Sequence, residues 1–140
     1  MKEEIEYKLD QLEEQVSKLE KSQYLSFEEF KQDELRVNAV ERQFQVAIEI
    51  VIDISSKINS YEGEESPESY RESIGKLGDL GILDKDFAEK FQNVASFRNV
   101  LVHFYADVDE EKVHKYLTED LKDFNEFAKS IASYAKELEE

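Results

Sequence analysis

Arg98 and His103 form the pair in this 140-residue sequence whose types and spacing could do chemistry together. A guanidinium binds anions through its planar fork of N–H donors, and an imidazole can gain or lose a proton near neutral pH. The two positions are about 140° apart around a helix, so their side chains diverge if the helix runs straight. We therefore expect them to converge only if the helix ends near Val102 or if two subunits meet across a two-fold axis.

Arg98 falls in an apolar stripe when the helix around it is projected at about 100° per residue. The other members of the stripe are Phe87, Phe91, Val94 and Leu101. Because an unpaired guanidinium is costly to bury, a carboxylate, a phosphate or a cleft open to solvent must meet it. A structural ion pair with Glu41, Glu49 or Asp53 is the alternative to a functional role. His103, taken alone, could equally be a packed or a surface residue.

The elements that position these residues are all predicted to be helices. Apolar residues recur at alternating steps of four and three from Ile5 to Leu19, which indicates a coiled-coil-like first helix. Ser26 and Glu29 have the spacing of a capping box. A second helix is predicted from there to about Ser60 unless it kinks, with an apolar middle that makes it the central element.

The segment 61–67 is predicted to be a linker before a third, short helix. Ser66 is the expected cap and Pro67 the expected first helical residue. The third helix should end at about Asp79, because glycines follow at the break after it.

Asp84 is predicted to cap the fourth helix, which carries the arginine. A break at 107–109 precedes a C-terminal helical region whose apolar stripe is interrupted at Thr118. The predicted fold is therefore all-α, a single domain over residues 1–140, built as an up-and-down bundle of four to five helices.

Composition limits the possible functions of the chain. With 34 acidic and 18 basic residues its net charge is −16, which repels nucleic acid from most of the surface, although residues 85–103 carry a net charge of +1. There is no cysteine, zinc-binding motif or glycine-rich phosphate loop, so we expect no metal and no cofactor. The charged N-terminus and the lack of a long apolar run favour a cytoplasmic protein that makes no membrane contact.

The string FRNVLVHFY at 97–105 resembles the R-x4-6-H signature of HEPN domains. It has the form R-N-x-L-V-H-x-Y that is typical of the HepT toxins of bacterial and archaeal toxin–antitoxin pairs. The resemblance extends over 39–49, 69–72 and 77–83 and to the acidic turn at 107–109. It fades before Asn38, and it implies a HEPN-like fold for the rest of the chain.

The resemblance implies a metal-independent endoribonuclease in which a ribose 2′-hydroxyl attacks the adjacent phosphate of an RNA substrate. His103 would shuttle the proton, and Arg98 would bind the phosphorane and neutralise its developing charge. Asn99 would orient the imidazole or bind the phosphate, and a helix-end cap is its alternative role. Family members pair these motifs across a homodimer, which would place two Arg–His sets in one cleft.

Tyr105 completes the H-x-Y part of the motif. The resemblance implies that a partner minimal nucleotidyltransferase, the antitoxin, adenylylates this tyrosine, because the added phosphate and adenine would block an RNA phosphate. The alternative is a core tyrosine that projects with Phe87 and Arg98 if the helix continues. His114, among charged residues on the next helix, is predicted to be a solvated surface residue.

The sequence is compatible with three functions. The first is an RNase toxin that a nucleotidyltransferase holds in check. The second is a non-catalytic HEPN interaction or nucleotide-sensing subunit that binds the nucleotidyltransferase, which the acidic surface favours. The third is a structural bundle with Arg98 in an internal salt bridge. Growth arrest on expression would separate the first function from the second.

Overall fold

The computed structural model describes residues 1–101 and 109–138, and within these ranges it contains helices and no strand. The elements in chain order are α1 (Lys2–Glu20), α2 (Phe27–Gln32), α3 (Glu34–Tyr61), α4 (Tyr70–Asp79), α5 (Lys85–Phe91), α6 (Val94–Leu101), α7 (Glu110–Lys115), a π-helical segment (Tyr116–Asp120) and α8 (Leu121–Lys136). The all-α prediction is therefore confirmed.

Helix α3 is the central element, as its apolar middle predicts. It contacts α1, α2, α4 and α6, and its side chains are buried on several faces. The predicted seam of α1 packs against α3 and α8, with Ile5, Leu12, Val16 and Leu19 buried. Each fully buried aliphatic side chain of this kind contributes roughly 1.5–3 kcal/mol, so the α1 seam makes a large contribution to stability.

The second predicted helix is interrupted at Asp33. The capping box is present, since Ser26 Oγ accepts from Glu29 N at 3.2 Å and Glu29 Oε1 accepts from Ser26 N at 3.0 Å. Helix α2 nevertheless ends at Gln32, and the Asp33 carboxylate accepts from the amide of Arg36 at 3.1 Å to cap α3. The predicted helix is thus broken at Asp33, where the aspartate side chain competes for a backbone amide, in line with the alternative that it does not run straight.

The cap of α4 differs from the predicted one. Ser69, rather than Ser66, accepts from the amide of Glu72, and Pro67 lies outside the helix. The serine nearer the helix satisfies the free amide of its first turn. The predicted end of this helix at Asp79 is confirmed.

The fourth predicted helix is divided into α5 and α6. Asp84 caps α5 as predicted, accepting from Phe87 N at 3.2 Å. The amides of Ala95 and Ser96 then bond to carbonyls three residues back, so the chain tightens between the two helices. The projection of one continuous stripe over residues 87–101 therefore does not describe a single helix face.

The C-terminal helical region is interrupted where Thr118 was expected to break it. Thr118 lies in the π-helical segment, and its hydroxyl donates to the carbonyl of His114 at 3.0 Å. When the described helices are joined across these breaks, they form five bundle elements, α1, α2–α3, α4, α5–α6 and α7–α8, in agreement with the predicted four to five. Among the described helices, none is both long and apolar enough to span a membrane.

Candidate active site

Arg98 projects from α6 toward α3 and meets a carboxylate there. Its Nη2 lies 3.4 Å from Oε1 of Glu49, and the two side chains remain 24% and 46% exposed. Glu49 is one of the three carboxylates predicted from the sequence as possible partners, whereas Asp53 pairs with Lys8 at 3.4 Å. The predicted ion pair is therefore present, and it leaves the arginine side chain partly exposed.

Glu41, the third predicted carboxylate, is partly buried on α3. Burial raises the pKa of Glu41, and the nearby carboxylate of Glu110 raises it further. Glu110 opens α7, directly after the part of the chain that contains the end of the sequence motif.

Tyr70, the first residue of α4, forms a second contact with Arg98. The guanidinium carbon lies 5.2 Å from the centre of the Tyr70 ring, within the range of a cation–π interaction. The Nε of Arg98 is buried and finds no hydrogen-bond partner among the described residues. Arg98 is thus oriented by a carboxylate and an aromatic ring while it keeps donor capacity for a further anion.

An open cleft of about 620 Å³ lies between the start of α4 and helix α6. Its lining combines an aromatic ring, hydroxyls, an amide and two charged side chains: Ser56, Pro67, Glu68, Ser69, Tyr70, Arg71, Ser73, Ala95, Ser96 and Asn99. Asn99, predicted as an auxiliary residue, is exposed at the cleft wall. Its two predicted roles stay open, since both involve the motif beyond α6.

Hydrogen bonds fix the walls of this cleft relative to one another. Arg71 donates to the side-chain carbonyl of Asn93 at 2.6 Å and so ties α4 to the α5–α6 connection. Asn59 of α3 donates to the backbone carbonyls of Ser55 and Ser73 at 2.8 and 2.9 Å. Because Asn59 is buried, these bonds are shielded from water and hold α3 against α4.

The core side of α6 is anchored by Phe97, the residue before the arginine. Its ring stacks on Tyr116 with centroids 3.9 Å apart and planes inclined by 3°. Burial raises the pKa of the Tyr116 hydroxyl, with smaller contributions from Asp120 and Asp123. Since Phe97 faces the core, Arg98 is held on the adjacent face, toward α3 and α4.

His103 and Tyr105 lie outside the described residues, as do residues 107–108 of the predicted break at 107–109. The convergence of Arg98 with His103 and the modification of Tyr105 therefore remain predictions. Within residues 1–101 and 109–138, no three His, Asp or Glu side chains are grouped closely enough to hold a metal ion.

His114 was predicted to be a solvated surface residue, but it is partly buried. Its Nε2 lies 2.8 Å from the carbonyl oxygen of Leu25, and its ring centre is 5.7 and 5.6 Å from those of Phe27 and Phe30. The charged residues that flank His114 in the sequence lie on the outward face of α7, and they do not indicate where the histidine itself lies. The packing of α2 across α7 partly buries the histidine, and this contact between distant segments has no local signal.

Tyr70 is the residue of this site to which sequence reasoning gave no role. It lies in the segment 69–72 that resembles the third helix of the HEPN family, but only the structure brings it to Arg98. The available signal was a large aromatic residue immediately after a helix cap, where a side chain is commonly half exposed.

Comparison with known proteins shows the family to which the chain belongs. The sequence model of the ribonuclease HepT-like family matches residues 12–131. The mRNA nuclease HepT of Shewanella oneidensis is 27% identical over 99 residues, which cover 71% of this chain and 74% of that protein. The tRNA nuclease HepT of Aphanizomenon flos-aquae is 28% identical over 138 residues, which cover 97% of this chain and 92% of that protein.

A solved structure shares the fold. The tri-AMPylated HEPN toxin of Shewanella oneidensis, solved in complex with the MNT antitoxin, superposes with a TM-score of 0.82 at 24% identity. The match covers 92% of this chain and 96% of that one. This likeness shows that the helical arrangement is that of a HEPN toxin.

Proposed function

The chain belongs to the ribonuclease HepT-like family, and from this premise we propose that it is an endoribonuclease toxin of a cytoplasmic toxin–antitoxin pair. The observation that supports a specific site is the exposure of the Arg98 side chain and its contacts. That side chain is partly exposed, meets Glu49 through one nitrogen, and contacts Tyr70, which lines an open polar cleft. A guanidinium in this state can donate hydrogen bonds to a phosphate in addition to its carboxylate neighbour.

The proposed reaction uses a nucleophile that the substrate itself supplies. The ribose 2′-oxygen bonds to the adjacent phosphorus as its proton passes to a base, and the 5′-oxygen leaves with a proton. The products are a 2′,3′-cyclic phosphate and a 5′-hydroxyl. Because the attacking group is internal to the RNA, the proposal requires no metal-activated water.

Two side chains divide the work in this proposal. Arg98 holds two oxygens of the phosphorane and offsets the charge that develops there. His103 transfers the proton, as an imidazole can at neutral pH. Asn99, close to both in the sequence, orients the imidazole or binds the phosphate.

A homodimer forms part of the proposal. On a straight helix Arg98 and His103 point about 140° apart, so one subunit alone does not direct both toward one phosphate. Two subunits related by a two-fold axis would bring the motifs together in a shared cleft. Sedimentation of the purified chain should therefore report a dimer, and a strict monomer that cleaves RNA would contradict the composite site.

A minimal nucleotidyltransferase is the proposed partner. The structurally similar toxin of Shewanella oneidensis is AMPylated and was solved in complex with the MNT antitoxin. By similarity, Tyr105 of this chain is the proposed acceptor of AMP, since it follows His103 in the motif. Incubation with the neighbouring nucleotidyltransferase and ATP should add AMP to the peptide that contains Tyr105, as measured by mass spectrometry. A peptide that stays unmodified would contradict this step.

A second candidate is a non-catalytic subunit that binds the nucleotidyltransferase. Two observations favour it: the net charge of −16 repels RNA, and Glu49 already meets the arginine that a phosphate would need. A chain of this kind would bind its partner and leave RNA intact.

The test compares RNA cleavage by the wild-type chain with that of Arg98→Ala and His103→Ala. We expect both substitutions to abolish cleavage while the helical circular dichroism stays unchanged, and we expect cleavage by the wild type to persist in EDTA. Arg42→Ala is the matched control, because Arg42 is an exposed arginine of α3. Full cleavage by Arg98→Ala would reject the site. An inactive wild-type chain that still binds the nucleotidyltransferase would favour the second candidate.

A further inference from the structure

We propose that the cleft between α4 and α6 binds a nucleoside of the RNA strand next to the phosphate at Arg98, with the Tyr70 ring as its stacking surface. This inference rests on the proposed function and specifies where the substrate lies. Stacking on an aromatic ring is the usual way in which proteins hold an unpaired base of single-stranded RNA.

The cleft is continuous with Arg98 through Tyr70. The guanidinium lies over the Tyr70 ring, with 5.2 Å between the guanidinium carbon and the ring centre. The same tyrosine lines the cleft and is 49% exposed. Tyr70 therefore keeps about half of its surface accessible despite its contact with Arg98. A strand whose phosphate meets Arg98 would then bring its neighbouring nucleoside to Tyr70.

The polar lining suits a nucleoside. Ser56, Ser96 and Asn99 are exposed in the cleft and offer neutral donors and acceptors. The hydroxyls of Ser69 and Ser73 already have partners in Glu72 N and Asn59 Nδ2, so they serve the fold. Neutral hydroxyls and amides match the hydroxyls of a ribose and the edges of a base. The volume of about 620 Å³ lies within the usual range of small-ligand sites.

Charge distinguishes this cleft from the rest of the surface. The charged side chains of its lining are Glu68 and Arg71, which offset each other, whereas the whole chain carries −16. Arg71 is held by Asn93, and Arg98, which is paired with Glu49, contacts Tyr70 at the cleft margin. An RNA strand would therefore meet less repulsion here than on the acidic surface elsewhere.

The experiment measures binding separately from cleavage. A short 2′-fluoro RNA, which has no 2′-hydroxyl to attack, is titrated with the full chain and followed by fluorescence anisotropy. We expect Tyr70→Leu to weaken binding about tenfold and Tyr70→Phe to bind like the wild type, because stacking needs the ring and not the hydroxyl. Tyr24→Leu is the matched control, since Tyr24 is an exposed tyrosine outside the cleft.

A second variant guards against a folding defect. Ser96→Tyr places a bulky ring at an exposed position of the cleft wall, where the fold should tolerate it, and we expect it to weaken binding as well. Equal dissociation constants for wild type, Tyr70→Leu and Ser96→Tyr would overturn the inference, and so would a wild-type chain that binds no oligonucleotide. Cleavage of unmodified RNA, assayed in parallel, tests the proposed function. Binding that depends on Tyr70 without any cleavage would support the cleft and contradict the nuclease.

Discussion

Arg98 and Glu49 meet through one pair of atoms, Nη2 and Oε1, at 3.4 Å across the contact between α6 and α3. A two-pronged arginine–carboxylate pair would use two N–H donors at shorter distances. The single long contact instead engages only one nitrogen of the guanidinium and leaves the side chain partly exposed. The pair therefore helps to orient Arg98 without closing the site.

Replacing Glu49 tests whether this ion pair is structural. We expect Glu49→Gln to change the free energy of unfolding by less than about 1 kcal/mol, because the carboxylate is nearly half exposed and water screens the pair. Urea denaturation measures the change. Asp53→Asn, which removes the exposed carboxylate that pairs with Lys8, is the control and should have an effect of similar size. A loss of about 3 kcal/mol or more would indicate a buried structural pair.

His114 should contribute to stability. We expect His114→Ala to lower the free energy of unfolding by about 1–3 kcal/mol, since it removes both the contact to the Leu25 carbonyl and the packing on Phe27 and Phe30. Lys115→Ala, at an exposed neighbouring position, should be nearly neutral. Thermal unfolding of the two variants checks this, and equal melting temperatures would show that the histidine is not part of the packing.

Two glycines of α4 offer a matched pair of substitutions. A Cβ at Gly78 would lie 2.7 Å from the Cβ of Ala88 on α5, so Gly78→Ala should destabilise the chain by about 1–3 kcal/mol. At Gly75 the nearest atom is the mobile end of the Gln92 side chain, which can move aside. Gly75→Ala should therefore be neutral or stabilise by up to about 1 kcal/mol through helix propensity. Chemical denaturation that ranks the two variants the other way would contradict the close packing of α4 on α5.

Glu41 should make stability depend on pH. Because burial raises its pKa, the folded chain holds this proton more tightly than the unfolded chain does, and ionisation at neutral pH costs stability. That cost is absent below the ordinary pKa of glutamate and grows as the pH rises through the raised value. Glu41→Gln should thus be more stable than the wild type at pH 7 and equal to it at about pH 3.5, well below the unperturbed value. Denaturation midpoints across this range measure the difference, and a gap that is constant with pH would reject the assignment.

Features that depend on a few neighbouring residues were predictable from the sequence. The caps at Ser26 and Asp84 and the interruption at Thr118 involve contacts within about one helical turn. The seam of α1 follows from the regular spacing of apolar residues along one helix. The sequence motif around Arg98 also indicated the family, because a motif of adjacent residues can be identified without knowledge of the tertiary contacts.

Features that depend on contacts between distant segments required the tertiary structure. The pairing of Arg98 with Glu49 rather than Glu41 or Asp53, the packing of His114 against α2 and the contact of Tyr70 with Arg98 each join residues from separate segments. A given apolar repeat is compatible with several rotations of a helix about its own axis. Burial and hydrogen bonding against the neighbouring helices select one of them. The amino-acid sequence by itself therefore determined that the chain is helical and which family it belongs to, whereas only the packing of α3, α4 and α6 decided what surrounds Arg98.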